Sequence, residues 1–78
     1  MDLLITGPNR LDGRVLIKNA LFVPKIGGQI QVPNSAEPVE SVVTPIPVAN
    51  SRRLLGGTFL VTNVESQTHG HTVTVDFP

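Results

Sequence analysis

The stretch GGTFLVTNVESQTHGHTVTVDF, residues 56–77, decides the fold class. Gly56-Gly57 is a turn, and Thr58–Ser66 after it reads as a strand. Along that strand Leu60, Thr62 and Val64 fall on one face and Phe59, Val61 and Asn63 on the other, because side chains alternate across a strand. Both faces are apolar in the first half, so the strand is expected to be central. Gln67–Gly70 is a connection. Thr72–Phe77 then alternates cleanly, with Val73, Val75 and Phe77 inward and Thr72, Thr74 and Asp76 outward. The two runs predict an antiparallel hairpin.

Upstream, the same signals recur in weaker form. Leu3–Thr6 predicts a short strand, closed by the turn formers Gly7-Pro8-Asn9. Asp12-Gly13 is a tight-turn signal ahead of the apolar run Val15–Val23. Val15, Ile17 and Leu21 are candidates for one face there, and Asn19 breaks it, so a bulge or bend is expected at 18–20. Pro24–Gly28 is a turn. Gln29–Val32 alternates with Ile30 and Val32 inward, and Pro33 ends the strand by removing a ladder donor. Gly27-Gly28-Gln29-Ile30-Gln31-Val32 echoes Gly56-Gly57-Thr58-Phe59-Leu60-Val61. No wider repeat accompanies the echo, which reads as shared turn chemistry.

Composition agrees with the pattern. Val, Ile and Thr together make 23 of 78 residues, and Ala only 3. β-Branched side chains suit a pleated surface, whereas Ala is the best helix former. The expected fold is all-β: a small five- to six-stranded antiparallel barrel or sandwich, one domain over residues 1–78. The expected core is Ile17, Ile30, Val32, Phe59, Val61, Val64, Val73 and Val75, and all three Phe (Phe22, Phe59, Phe77) are read as core residues. Residues 33–51, with Pro33, Pro38, Pro45 and Pro47, form a long Pro-rich extended loop, with a short edge strand at Val39–Thr44.

Several function classes lose support on the same evidence. The chain has no cysteine, so no disulfide framework or thiolate metal site is expected. Six basic and six acidic residues give a net charge of zero, which argues against a nucleic-acid binder or a polybasic membrane module. No apolar run approaches the roughly 20 residues of a membrane span. Met1-Asp2 and the early Gly7-Pro8 do not suggest a signal peptide.

Candidate chemistry is sparse. His69 and His71 lie two apart, the spacing that puts side chains on one side of a strand, and Glu65 or Asp76 would be a third metal ligand. Two His without a partner at a recognised spacing read more simply as a surface loop, and no metal or cofactor is expected. No Ser has a nucleophile-elbow context, the carboxylates are scattered, and the Gly-Gly turns precede strands rather than helices. The chain is not expected to be an enzyme. Arg10, Arg14, Lys18 and Lys25, offset by Asp12, form a basic face. Glu37 and Glu40 are candidates to meet Arg52-Arg53. Within the long loop, Val39, Val42 and Val43 with Arg52 and Arg53 are the candidate partner-binding residues.

Two segments carry a resemblance. Val15–Val32 holds Asn19-x-Leu21-x-x-Pro24, a Gly turn and a strand ending Ile30-Gln31-Val32. Leu55–Phe77 holds Gly57-x-Phe59-x-Val61-x-x-Val64 and the triplet Thr68-His69-Gly70. Together they cover about half the chain and resemble the β-domain on the C-terminal side of phage tail baseplate hub proteins. Glu65-Ser66 stand where that family often places a His, and the family domain sits in a much longer chain.

The resemblance implies a small barrel that helps build a ring around the tail axis. It would dock on neighbouring subunits through strand edges and loops, without catalysis. On that basis the chain is expected to be a virion structural component assembled in the host cytoplasm, or otherwise a cytoplasmic protein. Its partners would be copies of itself or neighbouring tail proteins, with segment 33–51 as an arm that orders on a neighbour. The competing expectation is a small binding domain that takes a peptide or oligosaccharide through loops 33–51 and 67–71.

Overall fold

The hairpin is formed by two long strands, Thr58–Gln67 and Gly70–Asp76, paired antiparallel. The computed structural model describes residues 1–7, 13–39, 51–68 and 70–77. Among these, six strands make one sheet: β1 (Asp2–Thr6), β2 (Arg14–Ile17), β3 (Gln29–Gln31), β4 (Glu37–Pro38), β5 (Thr58–Gln67) and β6 (Gly70–Asp76). Their order across the sheet is β3-β5-β6-β1-β2-β4. The protein is therefore all-β. Ser51-Arg52 form a helical turn that leads through further turns to Gly56.

The expected antiparallel arrangement needs one correction. β1 pairs with β6 in parallel, Ile5 opposite Val73, so the sheet is mixed. β1 also pairs antiparallel with β2, Ile5 opposite Val15. Gly70 permits the parallel seam: its Cα lies so close to the Asp2 backbone that a Cβ would strike the Asp2 carbonyl.

Connectivity makes the sheet curl. A flat six-stranded sheet would hold its outer strands roughly 24 Å apart, at about 4.8 Å per spacing. The outer strands β3 and β4 are joined by the short link from Gln31 to Glu37, which spans at most about 21 Å when fully extended. That link is also turned back on itself by the bond from the Ala36 amide to the Pro33 carbonyl, 3.1 Å. The result is a half-barrel with the core on its concave side.

The core is built in rows. Val15, Ile5, Val73 and Val64 stand in register across β2, β1, β6 and β5. Leu3, Val32, Ala36, Leu54, Phe59, Val61 and Val75 complete the buried cluster, with Val64 packed against it. Of the expected core, Val32, Phe59, Val61, Val73 and Val75 are buried, while Ile17, Ile30 and Val64 pack at its margin. Leu54, fully buried on the turn after Ser51, plugs the cluster from outside the sheet.

The face assignment in β5 is also corrected. Val61 pairs with Val75 but Asn63 pairs with Thr74, so Thr62 is an extra residue in a β-bulge. The bulge resets the alternation. Phe59, Val61 and Val64 therefore share the concave face, and Leu60 and Thr62 do not join Val64.

Two of the three Phe are not core residues. Phe22 is 73% exposed and Phe77 56% exposed. Phe77 instead leans on buried Phe59, with ring centroids 6.1 Å apart and planes tilted by 51°.

The run after Val15 ends as a strand at Ile17, and Asn19 turns the chain with φ 57°. A short edge strand lies at Glu37–Pro38, just before the one expected at Val39–Thr44, and Val39 adds one bond from its amide to the Arg14 carbonyl, 2.9 Å. The rest of that expected strand, residues 40–44, and most of the expected long loop lie outside the described residues.

The two Gly-Gly segments turn out to be partners. β3 and β5 pair antiparallel with Ile30 opposite Phe59. The Gly27 amide donates to the Val61 carbonyl and the Gly56 amide to the Val32 carbonyl, at 2.9 and 2.8 Å. The Val61 amide donates to the Gly28 carbonyl and the Val32 amide to the Gly57 carbonyl, both at 2.9 Å. Gly27 and Gly56 both have positive φ, 87° and 76°. Each six-residue segment thus binds the other as the other binds it, about a local two-fold axis.

Candidate interaction surface

The residues 18–28 between β2 and β3 place apolar side chains in solvent. Asn19, in the left-handed region, swings the chain off β2, and the Ala20 amide is held by the Met1 carbonyl at 2.7 Å. A turn closed by the Gly28 amide on the Lys25 carbonyl, 3.0 Å, brings the chain back into β3. Between these anchors Leu21 is 92% exposed, with Phe22 and Ile26 also in solvent. Leu21, Phe22 and Pro33 flank a groove of about 260 Å³ floored by Leu3, Ile17 and Ile30, beside β3, which ends the sheet among the described residues.

Leu21, Phe22 and Ile26 were not among the candidate residues read from the sequence. For Leu21 and Phe22 the signal was available: the apolar run Ala20–Val23 between the Asn19 break and Pro24 has no alternation.

The candidate partner-binding residues are only partly described. Val39 is half-buried, and its carbonyl accepts from the Ser51 hydroxyl at 3.5 Å. The same hydroxyl accepts from the Arg14 amide at 3.0 Å, so buried Ser51 stitches the end of the β2–β4 ladder. Arg52 and Arg53 follow Ser51 and are exposed, close in the chain to the residue that holds Val39. Val42, Val43, Glu40, Arg10 and Asp12 lie outside the described residues. Glu37 is engaged elsewhere: its carboxylate meets the Lys18 ammonium at 3.3 Å, across the β2–β4 pair. That contact also takes Lys18 out of the expected basic face.

His69 lies outside the described residues. His71 is in β6, in register with Leu3 on one side and Ser66 on the other. Its Nδ1 is 3.4 Å from the Ser66 hydroxyl, an exposed contact. A nucleophile–base pair needs a third group to orient the imidazole, and among the described residues no acid is hydrogen-bonded to the other ring nitrogen. Among the described residues no three His, Asp or Glu side chains are grouped to hold a metal ion. His71 also borders a second concavity, of about 280 Å³, with Leu4, Leu16 and Thr72. No helix among the described residues is long and apolar enough to cross a membrane.

Comparison with known protein families finds no match, and none is found among curated proteins or solved structures. The geometry of the chain itself therefore carries the functional reading.

Proposed function

We propose that this protein is a non-catalytic structural assembly module that packs against neighbouring protein subunits. The observation that carries the reading is the exposed pair Leu21 and Phe22 lining a groove beside β3, which ends the sheet among the described residues. Large apolar side chains grouped at an unpaired edge are what a subunit contact buries. Zero net charge supports the same reading, since it leaves no overall repulsion between copies.

The resemblance to the baseplate-hub β-domain gives the kind of assembly: a tail-like ring in a virion, put together in the host cytoplasm. Partners are copies of this chain or adjacent tail proteins, with no nucleic acid, membrane or cofactor involved. Two finer features belong to the reading: a barrel completed by a neighbour, and segment 33–51 as an arm onto that neighbour, with Val39, Val42, Val43, Arg52 and Arg53 as its contacts. The groove floored by Leu3, Ile17 and Ile30 favours one alternative, a small binding domain for a peptide or oligosaccharide. In that alternative the 33–51 and 67–71 loops would supply the remaining contacts.

Sedimentation velocity over a wide concentration range tests the assembly reading. An oligomer of defined size is expected. A strict monomer at every concentration would remove self-assembly and leave two readings, a hub-like domain that packs only against other subunits and the binding domain.

A further inference from the structure

We propose that the free edge of β3 is a homodimer interface, in which Gln29–Gln31 of one copy pairs antiparallel with the same residues of a second copy. The inference rests on the assembly reading and assigns it a surface outside the 33–51 segment.

The edge is open in a specific way. The Val32 amide and the Gly28 carbonyl point toward β5. Backbone direction alternates along a strand, so the amides and carbonyls of Gln29 and Gln31 point away from β5. β3 ends the sheet, and among the described residues no strand pairs with that side. Such an edge is a template for another strand unless it is blocked by charge, proline or a bulge. From Ile26 through Val32 the chain carries no charge and no proline.

The occupant is a second copy because the segment is already seen to pair with its own kind. Gly27–Val32 binds the like-patterned Gly56–Val61 about a local two-fold axis, with matching bonds at both ends. A two-fold contact between identical strands asks for the same self-complementarity. One register uses every free group. Gln29 faces Gln31 of the second copy, Gln31 faces Gln29, and the two Ile30 meet on the axis. It makes four backbone hydrogen bonds. Shifting it toward Gly27 meets an amide already bonded to Val61, and shifting it the other way meets Pro33, which has no amide hydrogen. Leu21 and Phe22 flank the groove beside this edge, where a second copy would cover them.

The test is sedimentation velocity of the full chain and two variants, from micromolar to millimolar concentration. Gln31→Pro removes a donor that the β5 ladder does not use, so the monomer should keep its circular dichroism spectrum. By symmetry two intermolecular bonds are lost, and the dimer Kd should rise roughly ten- to hundred-fold. The double variant Gln29→Lys/Gln31→Lys keeps every backbone donor but sets like charges across the axis, and should weaken the dimer in the same direction. If the wild-type chain associates and neither variant weakens it, the β3 interface is wrong and the assembly reading stands. If the wild-type chain is a monomer throughout, the homodimer is overturned and the assembly reading is left only with subunits of a different kind. If β3 amide resonances shift only on adding an unrelated extended peptide, the edge belongs to a foreign strand and the second copy is overturned.

Discussion

The backbone of Gly70 packs against the carbonyl of Asp2 so closely that no side chain fits between them. This contact opens the parallel seam on which β1 joins β6, and it accounts for the one glycine inside the last strand. Gly70→Ala should therefore separate β1 from β6 at their first paired residues and destabilise the fold by roughly 2–4 kcal/mol. Gly27→Ala is the control. Gly27 has φ 87° with nothing near its missing Cβ, so only backbone strain is added, about 1–2 kcal/mol. Urea unfolding of the two variants compares them directly, and equal losses would mean that the seam is not tight.

The aromatic residues should separate by burial. Phe59→Ala removes a ring from the core, at a cost of roughly 3–5 kcal/mol, which in a domain this small is close to unfolding. Phe22→Ala, at a solvent-exposed site, should change the stability of the monomer by less than about 0.5 kcal/mol. Phe77→Ala loses an edge contact with Phe59 and should cost roughly 0.5–1.5 kcal/mol. A folded, undiminished Phe59→Ala protein would contradict the core described above.

Ser51→Ala would strip the part-buried Arg14 amide of its acceptor, a hydroxyl on a fully buried residue. The expected loss is about 1–3 kcal/mol, the range for a stranded buried polar group. Hydrogen exchange gives the sharper readout: the amides of Arg14 and Val39 should lose protection before those of β5 and β6.

The Lys18–Glu37 pair is more than half exposed on both side chains. Lys18→Ala and Glu37→Ala should each cost no more than about 1 kcal/mol, and the coupling between them should vanish in high salt. A large, salt-insensitive coupling would mean that β4 depends on this pair rather than on its ladder.

Zinc titration of the chain, followed by the His71 ring resonances in NMR, tests the sequence-level metal idea. The expected outcome is no saturable binding below millimolar zinc, with the Ser66–His71 contact unchanged. Saturation at micromolar zinc would make His69 and His71 a site after all.

Much of the hairpin was legible because strand alternation has period two, and Val73 and Val75 obey it without interruption. In β5 the pattern Phe59-x-Val61-x-x-Val64 breaks that period, and the break is itself the mark of the bulge at Thr62. The parallel seam was not legible, because strand direction is set by long-range packing and Gly70 reads equally well as a turn. Phe22 misled because ring size argues for burial whereas the bend at Asn19 decides against it. Of the candidate site, Val39 and Arg52-Arg53 were found on neighbouring segments through Ser51, a residue whose role depends on two partners far away in sequence.

The place of the β5–β6 hairpin in the sheet bears on how the chain folds. Its two flanks are taken by β3 and β1, both supplied by residues 1–31, so the first part of the chain forms a clamp into which the last part inserts. The clamp arms do not pair with each other, and each needs the hairpin to cover its backbone. No half of the molecule is then complete without the other, and folding should be a single cooperative event. The hairpin can form early from local contacts, but β1 must close a loop of more than sixty residues onto it, which points to folding in milliseconds to seconds. Separately made fragments, divided in the stretch between β4 and Ser51, should each be unstructured and regain the native spectrum on mixing.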